Sequence, residues 1–147
     1  MTLVNENGLS ALVTLLREGR EYYVFAAEEV RDPEIADAFA LAAKSKTGLL
    51  DGLVAAGIIK QPSADHAEPP ASEEDGYSGL REQFDPYHAE VQGFALYQRE
   101  RRLLYLVQSV FRTENSLAVR RALKDAYPMV AQVARIMQRL ARRREAA

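Results

Sequence analysis

The apolar positions of this chain fall into four seams, each stepping forward by alternating intervals of three and four residues, the spacing that places side chains on one face of an α-helix. The first seam runs Leu9, Leu12, Leu16, Gly19, Tyr23, Ala26, Val30, and the second Ile35, Phe39, Ala42, Lys46, Leu49, Leu53, Ala56. The third reads Ala89, Gly93, Leu96, Glu100, Leu103, Val107, Val110, and the fourth Val119, Leu123, Ala126, Val130, Val133, Met137, Leu140. No period-two alternation competes with them, so the pattern predicts an all-α chain of four long helices.

The residues between the seams say how the helices connect. Asp32-Pro33-Glu34 offers an N-cap, a first-turn proline and an acid at the positive end of the next helix dipole, which predicts a tight turn and an immediate restart. Gly57 suits a left-handed stop to the second helix, and Thr113 to Ser116 supply polar capping groups for another sharp turn. A short helical piece is expected over Leu80 to Phe84. Asp85-Pro86 predicts a second direct restart, with His88 in the first turn of the third helix. Pro128 is expected to kink or split the fourth helix. Residues 60–79, rich in Pro, Ala, Ser and acid, read as one long flexible connection. Two short turns and one long connection match a bundle with a single crossover between its second and third helices, the ferritin-like arrangement, rather than a simple up-down-up-down bundle. A linker of about 25 residues easily spans a helix of about 37 Å.

The length of 147 residues and 48% hydrophobic content indicate one helical domain over the whole chain, large enough to bury a substantial core. With no cysteine in the sequence, disulfides, thiolate metal sites and cysteine nucleophiles are excluded, and the expected compartment is the cytoplasm. The first residues lack a basic segment followed by a signal-type apolar run, and no stretch is apolar enough to span a membrane. Charge is unevenly placed. Residues 1–76 carry 6 Lys/Arg against 14 Asp/Glu, and residues 77–147 carry 13 against 7, so the two halves are electrostatically complementary. The one concentrated basic run, RLARRRE, lacks interleaved aromatics and reads as a solvated helix end, not as a strong nucleic-acid signal.

The first hairpin, LSALVTLLREGREYYVFAAEEVRDPEIADAFALAAKS, resembles the opening of a bacterial family of ferritin-like domains to which no reaction is assigned. In that family a Leu-rich helix with an Arg-x-Gly-x-Glu-Tyr centre runs into Asp-Pro-Glu. The similarity covers residues 9 to 56; from Glu90 to Leu140 it lies in helix length and order more than in residues. The resemblance implies a four-helix bundle that self-associates. Where ferritin-like enzymes carry Glu-x-x-His on the second and fourth helices, this chain has Ala43-Lys44-Ser45-Lys46 and Met129-Val130-Ala131-Gln132.

Lys46 and Glu100 are the two charged members of otherwise apolar or small-residue seams. Facing inward, each needs a partner, because an isolated buried charge costs several kcal/mol. Tyr23 stands at a similar height to donate its hydroxyl, and Gly19 leaves room for the lysine. The alternative has Lys46 reaching to the rim and Glu100 meeting Arg99, Arg101 or Arg102 at the surface. A lysine acting as base or Schiff-base nucleophile would further require a cleft. An iron or manganese site would draw on Glu21, Glu28 or Glu29 with Glu90 or Glu100, leaving the other two helices without seam ligands unless Asp51 rotates inward. The competing reading of Glu21, Glu28 and Glu29 is a solvated acidic face. The two imidazoles are weak candidates: His66 sits among acids in the connection, beside Asp65 and Glu68, and His88 lies two residues from Glu90, on another face.

The third helix carries a second stripe: Phe94, Tyr97, Leu104 and Phe111, with Arg101, Tyr105 and Gln108 beside it. A second apolar face calls for another helix, a ligand or a second copy, and its tyrosine and arginine content favours a homodimer contact; the competing cover is the connection over residues 61–86. Taken together, the sequence points to a metal-free, non-catalytic bundle acting by self-association or partner binding. The alternatives are a degenerate carboxylate-bridged di-iron oxidase or iron-handling protein, and a nucleic-acid or membrane-surface adaptor using the basic C-terminal helix.

Overall fold

In the computed structural model, residues 2–59 and 76–146 are described, with side chains over 8–59 and 76–143; His66, Asp65, Glu68 and most of the 60–79 connection lie outside them. Every regular element among the described residues is helical. These are α1 (Thr2–Glu29), α2 (Pro33–Ala55), α3 (Ser78–Glu82), a 3-10 turn (Ala89–Gln92), α4 (Gly93–Thr113) and α5 (Leu117–Ala146). No helix among them is long and apolar enough to cross a membrane.

The caps explain where the chain turns. Asp32 accepts from the amides of Glu34 and Ile35 at 2.9 and 3.3 Å with Pro33 opening α2, so an exposed carboxylate satisfies two amides that no helical carbonyl can reach. α2 ends in a Schellman-type closure: the Ile58 amide donates to Leu53 and the Gly57 amide to Val54, with Gly57 at φ +82°. Before α5, the Ser116 hydroxyl accepts from the Val119 amide at 3.3 Å, and Glu114 accepts from the Ser116 amide at 3.1 Å.

Four long helices pack in a closed ring, α1 on α2, α2 on α5, α5 on α4 and α4 on α1. Their directions follow from the residues that meet. Gly8 lies against Val110 and Tyr22 against Gln92, so α1 and α4 are antiparallel. Gly52 lies against Ala122 while Asp32 pairs with Arg143, so α2 and α5 are antiparallel as well. Since both hairpins are antiparallel, α2 and α4 run parallel across the diagonal, and the chain must travel the length of a helix between them. All four seams supply the core: Leu12, Leu16, Tyr23, Phe39, Leu53, Leu96, Leu103, Leu123, Val133 and Met137 are buried, with Leu9, Ala56 and Ala126 only partly so.

Two local expectations are corrected, and a competing one is limited. α4 does not restart at Asp85-Pro86. Asp85 instead accepts from the Tyr87 amide at 2.9 Å and meets His88 Nδ1 at 3.0 Å, an Asx-type turn that uses up the cap, so the α-helix begins at Gly93 after the 3-10 turn. His88 is therefore outside the helix. Pro128 does not split α5, because it lies on the exposed face where water can serve the Lys124 carbonyl deprived of its amide partner. The connection does not cover the second stripe of α4 with its described part, residues 76–86. Phe84 packs on Phe25 and Tyr22, and Tyr77 on Tyr22 and Tyr23, all of α1.

Close approach decides which glycines matter. A Cβ on Gly93 would stand 2.7 Å from the Ala141 amide nitrogen and 2.9 Å from its Cα, whereas one on Gly48 would meet nothing within 4 Å. Gly93→Ala must push α4 off α5 and is expected to destabilise by about 1–3 kcal/mol. Gly48→Ala, in an open helical position, is expected to stabilise by about 0.5–1 kcal/mol. Urea denaturation of both variants checks the pair; equal effects would contradict the helix contact.

Candidate functional site

The centre of the helix ring is polar. Lys46, 1% exposed, reaches from α2 across the diagonal to Glu100 on α4, itself 0% exposed, and its Nζ donates to both carboxylate oxygens at 2.9 Å. From α1 the Tyr23 hydroxyl donates to Glu100 Oε2 at 2.7 Å, and its ring stands 4.9 Å from the lysine nitrogen, close enough for a cation–π contact. A Cβ on Gly19 would lie 2.7 Å from Lys46 Cε and 3.0 Å from Cδ, so the absence of a side chain there opens the path the lysine takes. Gly93 against Ala141, and Tyr97 bonded to Gln138, put α5 at this height with buried Val133 and Met137, so the fourth wall is apolar.

Around the pair lies an aromatic and polar shell the seams do not reveal. The Tyr22 and Tyr23 rings meet edge to face with centroids 5.4 Å apart, and Tyr77 packs against both at 5.6 and 6.1 Å. Tyr22 donates its hydroxyl to Gln92 Oε1, and Gln92 Nε2 donates to the Leu80 carbonyl at 2.7 Å, tying α1 to α3 and to the 3-10 turn. Arg99 Nε donates to the Gly76 carbonyl at 2.7 Å and its guanidinium stands 5.8 Å from the Tyr77 ring, which holds the end of the connection against the core. Tyr77 had one sequence signal. It is the only aromatic in an otherwise polar connection, where a large ring has no solvent-side use. Gln92 had none, because its burial follows from the late start of α4.

Burial raises the pKa of all three tyrosines and so suppresses their ionisation. For Tyr23 desolvation is the largest cause, followed by the Glu100 charge; for Tyr77 desolvation and then Glu100 push the same way; for Tyr22 desolvation outweighs the opposing Arg99 charge. Each phenol is therefore held neutral in the folded state, above the ordinary value of about 10.

Glu100 accepts three hydrogen bonds from two donors' side chains, leaving it little capacity for a further ligand. The carboxylates an iron or manganese site would need are not gathered: Glu21 and Glu28 are exposed, Glu90 is half-buried on the 3-10 turn, and only Glu100 is central. Glu29 and Asp51 are also exposed. Among the described residues no three His, Cys, Asp or Glu side chains are close enough to hold a metal ion, so the residues present do not fit a di-iron group. A lysine acting as base or nucleophile must meet its substrate, and Lys46 is sealed behind its own ion pair.

The second stripe of α4 divides in two. Phe94 and Tyr105 are open to solvent, 61% and 58% exposed, and Arg101 and Arg102 stand 5.8 and 5.4 Å from the rings of Tyr97 and Tyr105. Tyr97 and Leu104 are half-buried, and the Tyr97 hydroxyl accepts from Gln138 Nε2 of α5 at 3.3 Å. Gln108 donates to the Tyr127 hydroxyl at 2.9 Å, and Phe111 lies beneath Arg120 at 4.6 Å, so both are engaged with α5. Of the basic C-terminal run, Arg143 pairs with Asp32 at 3.2 Å and Glu34 at 3.5 Å across the helix ends.

Two measurements test this cluster. Lys46→Met strands a buried carboxylate and is expected to destabilise by roughly 3–5 kcal/mol, whereas the triple change Lys46→Met, Glu100→Met, Tyr23→Phe removes charge, counter-charge and orphaned hydroxyl together and recovers most of that loss. Urea midpoints that fall as far in the triple as in the single variant would refute the coupling. In alkaline titration, a phenol whose folded pKa is raised stabilises the fold fully below its unfolded value of about 10, and that stabilisation is lost as pH rises toward the folded value. Tyrosinate absorbance should therefore show Tyr22, Tyr23 and Tyr77 ionising late and together with unfolding, and Tyr23→Phe should remove one late phenol.

Comparison with family models, with curated proteins and with solved structures finds no match to this chain, and the capability of the site is set by its own chemistry.

Proposed function

We propose that this chain is a ferritin-like four-helix bundle with one crossover, in which a lysine–glutamate–tyrosine lock stands where catalytic relatives hold metal, and that it acts non-catalytically by self-association as a homodimer. The carrying observation is the closed valence of the central layer: Glu100 is bonded to both Lys46 and Tyr23, and all three are buried. Two antiparallel hairpins with α2 and α4 parallel across the diagonal support the ferritin-like topology, since that geometry requires one long crossover. Phe94 and Tyr105, three turns apart on one face of α4, support a second copy as the partner, with Tyr97, Arg101 and Leu104 between them.

Elemental analysis of protein purified without chelator, run beside sedimentation velocity, tests both parts. The expected result is no stoichiometric iron or manganese and a dimer that Phe94→Ser with Tyr105→Ser converts to monomer. Stoichiometric metal would overturn the lock, and a native monomer at high concentration would overturn the homodimer.

A further inference from the structure

Next to the α4–α5 turn, these two helices leave between them a groove of about 400 Å³, within the range of small-ligand sites. Its walls are Val107 and Phe111 from α4 and Leu123, Tyr127 and Pro128 from α5. Tyr127 is held by Gln108 at 2.9 Å, a bond that bridges the two helices at the groove. The apolar walls alone would not name an occupant. The charged lining does, because it has one sign: Arg112 and Lys124 border the groove and no carboxylate lines it.

Both cations are exposed, and neither has a hydrogen bond or ion pair from its side chain among the described residues. A third cation packs on one ring of the groove wall. Arg120 lies 4.6 Å from the ring of Phe111, and its Nε is buried with no hydrogen-bond partner. Buried donors are nearly always satisfied, so this nitrogen, on a residue that does not itself line the groove, marks an unmet donor beside it and adds positive charge to that side.

We infer that this groove binds a small amphiphilic carboxylate, its apolar body against Val107, Phe111, Leu123 and Tyr127 and its anionic end between Arg112 and Lys124. Two cations on separate helices can take the two oxygens of one carboxylate, while the walls remove the chain from water. The inference is independent of the homodimer, whose proposed contacts Phe94 and Tyr105 lie earlier on α4.

The test titrates the full chain with hexanoate, octanoate and decanoate below their micellar concentrations, and with decanol, following backbone amide shifts by NMR. Expected are saturable shifts at residues 107–112 and 123–127 and a Kd that falls about threefold to fourfold per added methylene. Decanol should bind about tenfold more weakly than decanoate. Arg112→Gln with Lys124→Gln, both surface changes, should erase the difference between decanoate and decanol while leaving the circular dichroism unchanged. Equal affinity for acid and alcohol in the native protein, indifference of decanoate to the double change, or no saturable shift would each overturn the inference. So would binding that disappears as the protein self-associates, because the groove would then belong to a second copy.

Discussion

A salt bridge crosses the middle of this protein, and the placement of the long helices is organised around it. Lys46 and Glu100 belong to α2 and α4, which are not neighbours in the ring but face each other across it. To meet, the lysine must extend through the core past α1, and it can do so because Gly19 presents no side chain. The arrangement is sensitive to register. Sliding one helix by a turn moves its residues about 5.4 Å, enough to leave an ammonium and a carboxylate buried apart at a cost of several kcal/mol. Apolar seams of Leu and Val tolerate such slips far better, since one branched side chain fills much the same space as the next. The polar pair is thus a poor source of stability but a strong source of uniqueness, selecting one pairing of hairpins among several that bury similar area.

The same constraint accounts for the aromatic shell. A carboxylate that takes two bonds from lysine still has lone-pair capacity, and Tyr23 fills it; a phenol buried to do so must keep its proton. Tyr22 and Tyr77 then close the layer against solvent. Tyr77 and Gly76 lie at the described end of the connection, so the chain entering α3 is anchored on this centre. Charge follows a broader plan. The acidic first half and basic second half meet at the helix ends through Arg143, Asp32 and Glu34, yet in the core the signs are exchanged, with the cation from the first half and the anion from the second. Surface steering and core register are therefore set by different residues.

How much of this was legible in the sequence depended on whether the information was local. Helix periodicity is local, and the four seams, the Asp32 cap and the Gly57 stop all lie where the residues indicate. Lys46 and Glu100 stood out because they broke an otherwise apolar pattern, but whether they meet or diverge depends on a rotation of a few tens of degrees that spacing leaves open. Asp85-Pro86 misled because the same carboxylate chemistry that caps a helix also closes an Asx turn, and a contact distant in sequence decides between them: the Pro86 carbonyl accepts from the Arg31 amide at 2.9 Å and pins that loop to the α1–α2 turn. Gln92 carried no signal and Arg99 stood only as a surface partner for Glu100, since the contacts that place them come from other segments: the Tyr22 hydroxyl and Leu80 carbonyl for Gln92, the Gly76 carbonyl for Arg99.

The second stripe of α4 shows why one helix can serve two purposes. Its inner seam is consumed by the core, and the remainder is split by α5: near the middle and start of α4 the rings of Phe94 and Tyr105 stay in water, while near the end Gln108 and Phe111 turn toward α5 and leave a groove walled by Pro128 and Tyr127. Flat aromatic surface flanked by arginine suits a protein partner, because large rigid rings bury area at little entropic cost. A recessed apolar slot with unpaired cations suits a small anion, because a slot buries most of a ligand's surface and the cations select its charged end. The position of α5 across α4 therefore separates an exposed aromatic face from a recessed groove along one helix, and the central salt bridge, by fixing the register of α4 in the ring, fixes where that division falls.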